Sequence, residues 1–215
     1  MERARKQEDK QARHRAILAA ARAELAAVRF QELQMAQVAK RAGLAKGTLY
    51  LYFDTKEALA LALCEELLGA WFDGLDAQLD GARRLAPRRL AELMIDGVLR
   101  RPPLGALLAV LQATLEHNVS YAEARRFKQR LLERVAGTGA RLERHLGARG
   151  GAGARAILVA NALLVGLGGM AEPAPVVAEV LAEPPLRPLR VELRPEFVDA
   201  MEAILIQHSK KGRAR

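Results

Sequence analysis

Residues 35–56, MAQVAKRAGLAKGTLYLYFDTK, constrain the fold of this chain more than any other segment. Val38 and its small neighbours would form the apolar face of a short helix. Gly43 can end that helix, because glycine readily adopts the left-handed backbone conformation. Leu49 and Phe53, four residues apart, would form the inner stripe of a second short helix. The pattern predicts a helix-turn-helix whose second helix presents its outer side chains to a DNA major groove. The alternative is an ordinary helical hairpin within a core.

The positive charge of the chain is concentrated around this segment. All 215 residues together carry a net charge of +9. Residues 1–56 contain 12 basic and 6 acidic side chains, a net of +6, so the rest of the chain contributes only +3. Positive charge gathered in this way suits a polyanion such as DNA, and a solvated basic helix is the plainer alternative.

The composition favours helices. Hydrophobic residues make up 51% of the chain, which is enough for a core, and charged residues make up 27%. Good helix formers such as Ala, Leu, Glu and Arg dominate, and no segment alternates as a strand would. We predict an all-α protein of about nine helices, in which a three-helix head at residues 1–56 precedes a helical body at residues 57–215.

Prolines, glycines and one capping threonine set the expected helix boundaries. Thr55 is a good N-cap for a long fourth helix. Residues 1–8 are expected to form a frayed basic arm, residues 210–215 a disordered tail, and proline-rich residues 172–194 an irregular excursion with one helical turn. Besides the two short helices of the helix-turn-helix, the expected helices cover residues 9–28, 56–80, 87–99, 104–117, 121–146, 154–168 and 196–207.

The sequence KGTLYLYFDTKEAL at residues 46–59 resembles the signature of the tetracycline-repressor (TetR) family of bacterial transcription regulators. The preceding VAKRAGLAKG, residues 38–47, resembles the second helix and turn of that family. The resemblance is specific over about fifty residues, 13–63, and is architectural beyond them. It implies a DNA-binding domain at residues 1–56 and a ligand-binding and dimerisation domain at residues 57–215.

The predicted DNA contacts cluster around the second helix of the motif. Gly47 lets the backbone approach DNA, Thr48 can hydrogen-bond a base edge or a phosphate, and Leu51 can make only apolar contact, for example with a thymine methyl. Tyr50 and Tyr52 can donate to phosphate oxygens, although packing of Tyr52 into the head is an alternative. The complete set of predicted contacts is Gln34, Lys46, Gly47, Thr48, Tyr50, Leu51, Tyr52 and Lys56.

Lys56 is the strongest of these predictions. It begins the fourth helix, where backbone N–H groups and the helix dipole also attract a phosphate, and the resemblance implies that it clamps the DNA backbone. Lys46 begins the recognition helix and is expected to meet a phosphate as well. Two helix caps depart from the family pattern, because Gln34 and Ala45 stand where the family usually has Thr and Ser.

The resemblance also implies a ligand pocket and a dimer face in the body. The pocket candidates are polar or aromatic residues on largely apolar helices, namely Trp71, His117, Asn118, Tyr121 and Asn161. For any one of them, an ordinary core or surface residue is the alternative. The dimer face is expected on the eighth helix and on the last helix around Phe197, Met201 and Ile204, which would form a four-helix bundle with a second copy.

No pattern predicts an enzyme, a metal site or a cofactor. The four histidines His14, His117, His145 and His208 lack metal-ligand spacing. Residues 147–153, GARGGAG, lack the preceding strand and the terminal Lys-Ser/Thr of a phosphate-binding loop. A single cysteine, a charged N-terminus and a longest uncharged run of only 16 residues at 156–171 predict a cytoplasmic protein without a membrane span.

Together, the residues and the resemblance predict a homodimeric, sequence-specific DNA-binding transcriptional regulator. We expect a repressor that a small, mostly apolar ligand releases from a near-palindromic operator. The alternative is a helical small-molecule-binding protein whose basic head contacts RNA or membrane phosphate.

Overall fold

The structure, a computed structural model, describes residues 2–111 and 118–213, and over these residues it is helical without a β-strand. The predicted all-α class is therefore confirmed. The described residues form ten α-helices: α1 Glu2–Leu25, α2 Met35–Arg41, α3 Lys46–Tyr50, α4 Lys56–Asp80, α5 Pro87–Leu99, α6 Pro102–Val110, α7 Tyr121–Leu146, α8 Ala152–Ala171, α9 Pro175–Val180 and α10 Leu193–Arg213. This is one helix more than the predicted nine, because α9 forms where only one helical turn was expected.

Several helix ends differ from the sequence-based boundaries. The expected frayed arm is wrong from Glu2 onward, because no Gly or Pro interrupts the good helix formers that precede Leu25. Helix α10 continues to Arg213, through most of the expected disordered tail. Helix α6 ends at Val110, and residues 112–117 of its expected extension lie outside the described residues.

The chain packs as two compact units. The first comprises the described residues of Met1–Leu68 and Pro102–Arg125. In it, α1 packs against α2, and α2 against α3, around a core that includes Ile17, Val38 and Leu49. Burial of Val38 and Leu49 confirms the inner stripes that the helix-turn-helix pattern predicted. The assignment of DNA binding to residues 1–56 and of ligand binding and dimerisation to residues 57–215 stays a prediction.

The second unit comprises Gly69–Arg101 and the described residues of Arg126–Arg215, and in it α10 packs against α5 and α8. Phe197 and Met201 are buried within the protomer. The prediction that they form a dimer face is therefore wrong, because their side of α10 is already used by the core of the unit. Ile204 is half-buried, and Ile206 is the large exposed apolar residue of this helix.

Trp71 is held firmly in the second unit. Its indole Nε1 donates a hydrogen bond to the carbonyl oxygen of Met94, 3.0 Å away. Gly97 makes room for the ring, because a Cβ atom there would lie 2.7 Å from Trp71 Cδ1. The indole N–H is therefore satisfied, and the side chain is buried in the core of the unit.

His145, on the last turn of α7, is buried and uses both ring nitrogens. Its Nδ1 accepts a hydrogen bond from the backbone N–H of Leu85 at 3.1 Å. Its Nε2 lies 2.9 Å from the carbonyl oxygen of Leu79, which can only accept, so Nε2 carries the proton. The imidazole thus joins the end of α4 to the segment that leads into α5.

Helix α8 is apolar but only partly covered. By length and composition alone it could cross a membrane, and 22% of its apolar window is buried within the protein. Leu158 and Met170 are each 58% exposed, and the small residues Ala162 and Gly166 are exposed between them. These four residues define the exposed face of α8.

Candidate nucleic-acid interface

The turn between α2 and α3 is built on Gly43. Its φ of +68° is the left-handed conformation that the sequence predicted. The N–H of Leu44 donates to the carbonyl oxygen of Ala39 at 2.9 Å, and the N–H of Gly43 donates to that of Lys40 at 3.2 Å. These bonds satisfy carbonyls at the end of α2 and fix the direction in which the chain enters α3.

Helix α3 is anchored by its inner side. Leu49 is fully buried and Phe53, just beyond the helix, is also buried. Their burial leaves the opposite side open, where Leu51 follows α3 with 82% of its surface exposed. The outward face of α3 comprises the exposed residues Lys46, Gly47, Tyr50 and Leu51 and the half-buried Thr48. Five of the eight predicted DNA contacts therefore lie together on one surface.

Two of these side chains are paired with each other. The Lys46 ammonium lies 5.9 Å from the centroid of the Tyr50 ring, at the outer limit of a cation–π contact. The four-residue spacing along a helix brings the two side chains together. The pairing places a positive charge and a phenol side by side, a combination that suits a phosphate oxygen.

Lys56 is held inside the head more firmly than the sequence suggested. Its Nζ donates to the carbonyl oxygen of Gln31 at 3.2 Å and lies 4.9 Å from the centroid of the Phe30 ring. Thr55 caps α4 as predicted, because its Oγ1 accepts from the N–H of Ala58 at 3.0 Å. Lys56 therefore ties the start of α4 to the 3-10 turn at Phe30–Glu32, besides standing at a helix N-terminus.

The remaining predicted contacts lie near this surface in sequence but differ in environment. Gln34 is exposed at the N-cap of α2 and makes no side-chain capping bond, as its residue type suggested. Ala45, at the N-cap of α3, likewise supplies none. Tyr52 is half-buried, so its exposure is compatible both with a phosphate contact and with partial packing into the head.

Sequence reasoning missed the ion pairs that brace the head. Arg41 on α2 donates from Nε to Glu24 on α1 at 2.6 Å, and Arg22 on α1 pairs with Glu66 on α4. Partners 17 and 44 residues apart leave no local sequence signal. Three of the four side chains are well exposed, so each pair adds at most about 1 kcal/mol to the contacts of α1 with α2 and α4.

The predicted ligand residues are spread over both units. Trp71 and half-buried Asn161 belong to the second unit, whereas Asn118 and Tyr121 belong to the first and are exposed. His117 lies outside the described residues. A cavity of about 450 Å³ in the second unit is lined by other residues, including Leu85, Pro87, His145 and Ser209. The role of the five predicted residues in ligand binding stays a prediction.

A short helix held by a buried inner side, with polar, basic and apolar side chains on its outward face, defines a helix-turn-helix DNA-binding head. Comparison with known proteins agrees. Residues 17–63 match the model of the bacterial regulatory proteins of the tetR family, and residues 65–206 match the tetracyclin repressor-like C-terminal domain. The chain belongs to the TetR family and is a DNA-binding transcriptional regulator.

Two named relatives resemble part of the chain. The chain is 39% identical over 64 residues to the HTH-type transcriptional regulator EthR of Mycolicibacterium smegmatis, covering 30% of each protein. It is 34% identical over 50 residues to the fatty acid metabolism regulator protein of Bacillus subtilis, covering 23% of this chain and 26% of that protein. The matches thus span less than a third of either relative.

The whole fold also resembles solved structures. A TetR transcriptional regulator from Rhodococcus sp. RHA1 superposes with a TM-score of 0.52 at 22% identity. The alignment covers 92% of this chain and 95% of that one. At this identity the likeness shows the fold, including the helical body, and carries no information about a ligand.

Proposed function

We propose that this protein is a homodimeric repressor that binds a near-palindromic operator and leaves it when a small, mostly apolar ligand binds the body. The observation that carries the proposal is the outward face of α3. It combines a cation, two hydroxyl groups and an exposed apolar side chain on a helix whose inner side is buried. Residues 1–56 would bind DNA, and residues 57–215 would bind the ligand and the second copy.

A second copy is needed because one head reads too little DNA. Helix α3 has only 5 residues, so a single head can reach few base pairs. Two heads related by a two-fold axis, about 34–36 Å apart, would read successive major grooves and therefore require a near-palindromic site. The symmetry of the operator would mirror the symmetry of the protein.

The exposed face of α8 supports this assembly. Leu158, Ala162, Gly166 and Met170 recur at helical spacing and are exposed in the protomer. A two-fold interface places the same patch of each copy against the other, and small residues let two helices approach closely. Burial of this face would remove apolar surface from water, which is the usual driving force of such interfaces.

The ligand proposal depends on the composition of the body. The helices of the body carry long Ala/Leu runs, and the only tryptophan of the chain, Trp71, is a buried apolar ring whose N–H is already bonded. A mostly apolar ligand suits such surroundings. The relative from B. subtilis is named for fatty acid metabolism, but its match is confined to 50 residues.

The decisive experiment is selection of duplexes from a random DNA library with the full chain, followed by binding measurements at several salt concentrations. We expect a near-palindromic duplex to be bound at least a thousandfold more tightly than random DNA, and two protomers to sediment with it. Equal binding to structured RNA, to anionic phospholipid vesicles and to any duplex would support the alternative function instead.

Ligand release is tested through Trp71 fluorescence. Apolar compounds that change the emission of Trp71 would be titrated with and without saturating operator. A releasing ligand must bind the DNA-free arrangement more tightly, so we expect operator to weaken its binding by about 5- to 150-fold and the ligand to weaken operator binding by the same factor. A ligand whose affinity is the same in both titrations is not the releasing ligand. The proposal includes no catalytic activity and places the protein in the cytoplasm.

A further inference from the structure

Leu51 is the one large apolar side chain on the outward face of α3. With 82% of its surface exposed, it contributes almost nothing to the core of the head. A single exposed leucine is ordinary on a protein surface, so exposure alone carries no meaning. The position of Leu51 is informative, because the residue directly follows the recognition helix and shares a face with Lys46, Thr48 and Tyr50.

The backbone of Leu51 is fixed although its side chain is free. The residue has helical angles of φ −73° and ψ −15°, and its N–H donates to the carbonyl oxygen of Thr48 at 3.2 Å. Leu49, two residues before, and Phe53, two residues after, are both buried. The side chain is therefore presented from a rigid support, and little further ordering is needed when it meets a partner.

The chemistry of leucine limits what it can read in a major groove. Its side chain has no hydrogen-bond donor or acceptor, and the groove edges of A, G and C present mainly such groups. The thymine C5-methyl is the distinct apolar group on this surface. Packing leucine against a polar base edge would leave that edge without water or a partner, whereas packing it against the methyl removes apolar surface from water.

We infer that Leu51 sets sequence preference by packing against a thymine methyl, one in each half of the operator. This inference rests on the proposed function, in which α3 enters the major groove. Lys46 and Tyr50 then supply phosphate contacts, which set register and carry no sequence information. Thr48 supplies hydrogen bonds, and Leu51 supplies the preference for thymine over the other three bases.

The test removes the methyl group without changing base pairing. Each thymine of the selected duplex is replaced in turn by deoxyuridine, and binding of the full chain is measured. One thymine in each half-site should lose about fourfold in affinity, the equivalent of about 0.8 kcal/mol per buried methyl, and replacement in both half-sites about fifteenfold. In Leu51→Ala the same duplexes should bind within about twofold of each other.

Matched variants separate Leu51 from its neighbours. Leu51→Met keeps an apolar side chain of similar reach and should keep the dependence on the methyl. Thr48→Ser removes the methyl of Thr48 but keeps its hydroxyl, and should also keep the dependence. Because Leu51 is exposed, the thermal melting temperature of Leu51→Ala should match that of the parent, so a change in binding is not a loss of fold.

The outcomes separate this inference from the function on which it rests. A parent protein that binds its selected duplex but tolerates deoxyuridine at every thymine would overturn the role of Leu51 alone. So would a dependence that survives Leu51→Ala or disappears in Thr48→Ser. If no duplex is selected at all, the proposed function fails, and the role of Leu51 fails with it.

Discussion

Gly139 on α7 and Gly153 on α8 cross so closely that a Cβ atom on Gly153 would overlap the carbonyl oxygen of Gly139. The reverse holds as well, because a Cβ atom on Gly139 would lie 2.6 Å from the backbone nitrogen of Ala154. Both obstacles are backbone atoms, which cannot turn aside as a flexible side chain can. The two helices can cross at this distance only with glycine at both positions.

We therefore expect Gly153→Ala to lower the free energy of unfolding by about 1–3 kcal/mol through overpacking. Gly69→Ala is the matched control, because a Cβ atom there meets nothing within 4 Å and alanine is the better helix former. That variant should be neutral or more stable by up to about 1 kcal/mol. Urea unfolding of both variants checks the prediction, and equal stability of the two would refute the close crossing.

Lys46→Ala should weaken binding to all duplexes to a similar degree. Loss of one phosphate contact per head should make the slope of log affinity against log salt shallower by about one unit for each head bound. Lys128→Ala is a suitable control, because Lys128 stands over the Phe127 ring at 5.8 Å, much as Lys46 stands over Tyr50, but lies outside the head. Fluorescence anisotropy at several salt concentrations measures both slopes, and an unchanged slope for Lys46→Ala would count against the contact.

Lys56→Ala should differ from Lys46→Ala in its effect on the fold. The Lys56 ammonium bonds to the Gln31 carbonyl and faces the Phe30 ring, so its loss should lower the melting temperature as well as the affinity for DNA. A charged hydrogen bond of this kind contributes about 1.5–3 kcal/mol when fully buried and less at a half-buried site. Calorimetry of the two variants tests the difference, which would be absent if Lys56 were only a phosphate ligand.

Leu158→Glu should convert the dimer to monomers without unfolding them. Leu158 is exposed in the protomer, so the substitution does not disturb its core, but an unpaired carboxylate would be buried wherever the exposed face of α8 meets a second copy. Leu132→Glu on α7 places the same charge on a leucine that is 68% exposed and outside that face. Sedimentation velocity at micromolar concentration distinguishes them, and a dimer that persists in Leu158→Glu would place the interface elsewhere.

Arg194→Gln should produce a stability difference that depends on pH. Hydrogen bonds from Arg194, at 2.7 and 3.2 Å, hold the pKa of Asp96 below its ordinary value of 3.8. A carboxylate whose pKa is lowered by folding stabilises the protein above its unfolded pKa, and this contribution is lost as the pH falls through the folded value.

The parent should therefore be more stable than Arg194→Gln at neutral pH, by a small margin because solvent screens the exposed Arg194 guanidinium. The difference should shrink as the pH falls below about 4. Arg187→Gln removes a guanidinium whose hydrogen bond within the described residues is to a backbone carbonyl, that of Ala182, and it should show no such trend. Urea unfolding at a series of pH values compares the three proteins.

Local chemistry accounts for what the sequence predicted well. The start of α5 and the end of α7 were predicted correctly. Pro87 favours the first turn of a helix, and the glycine-rich residues after Leu146 end one. The start of α4 followed from Thr55, whose hydroxyl caps a backbone N–H three residues away. The helix-turn-helix followed from Gly43, whose left-handed conformation is a property of the residue itself. Each of these signals lies within a few residues of the feature that it determines.

Tertiary contacts account for what the sequence did not predict. Nothing near Met201 shows that its side of α10 faces α5 and α8 rather than a second copy. The bond from Trp71 to Met94 spans 23 residues, and only folding shows that the indole N–H is already used. Lys56 was predicted to contact DNA, but its contact with Phe30 joins two distant positions of the chain and leaves no local signal.

The two hydrogen bonds of His145 have a consequence for the order of folding. They join α7 to Leu79 and Leu85, which are 66 and 60 residues away along the chain. The segment from α4 to α5 is short, yet the Leu85 N–H and the Leu79 C=O can bond to His145 only after the last turn of α7 has packed against them. Contacts between such distant residues require the closure of a long loop, which is slow. The connection between α4 and α5 should therefore become ordered late, after the helices on either side of it have formed.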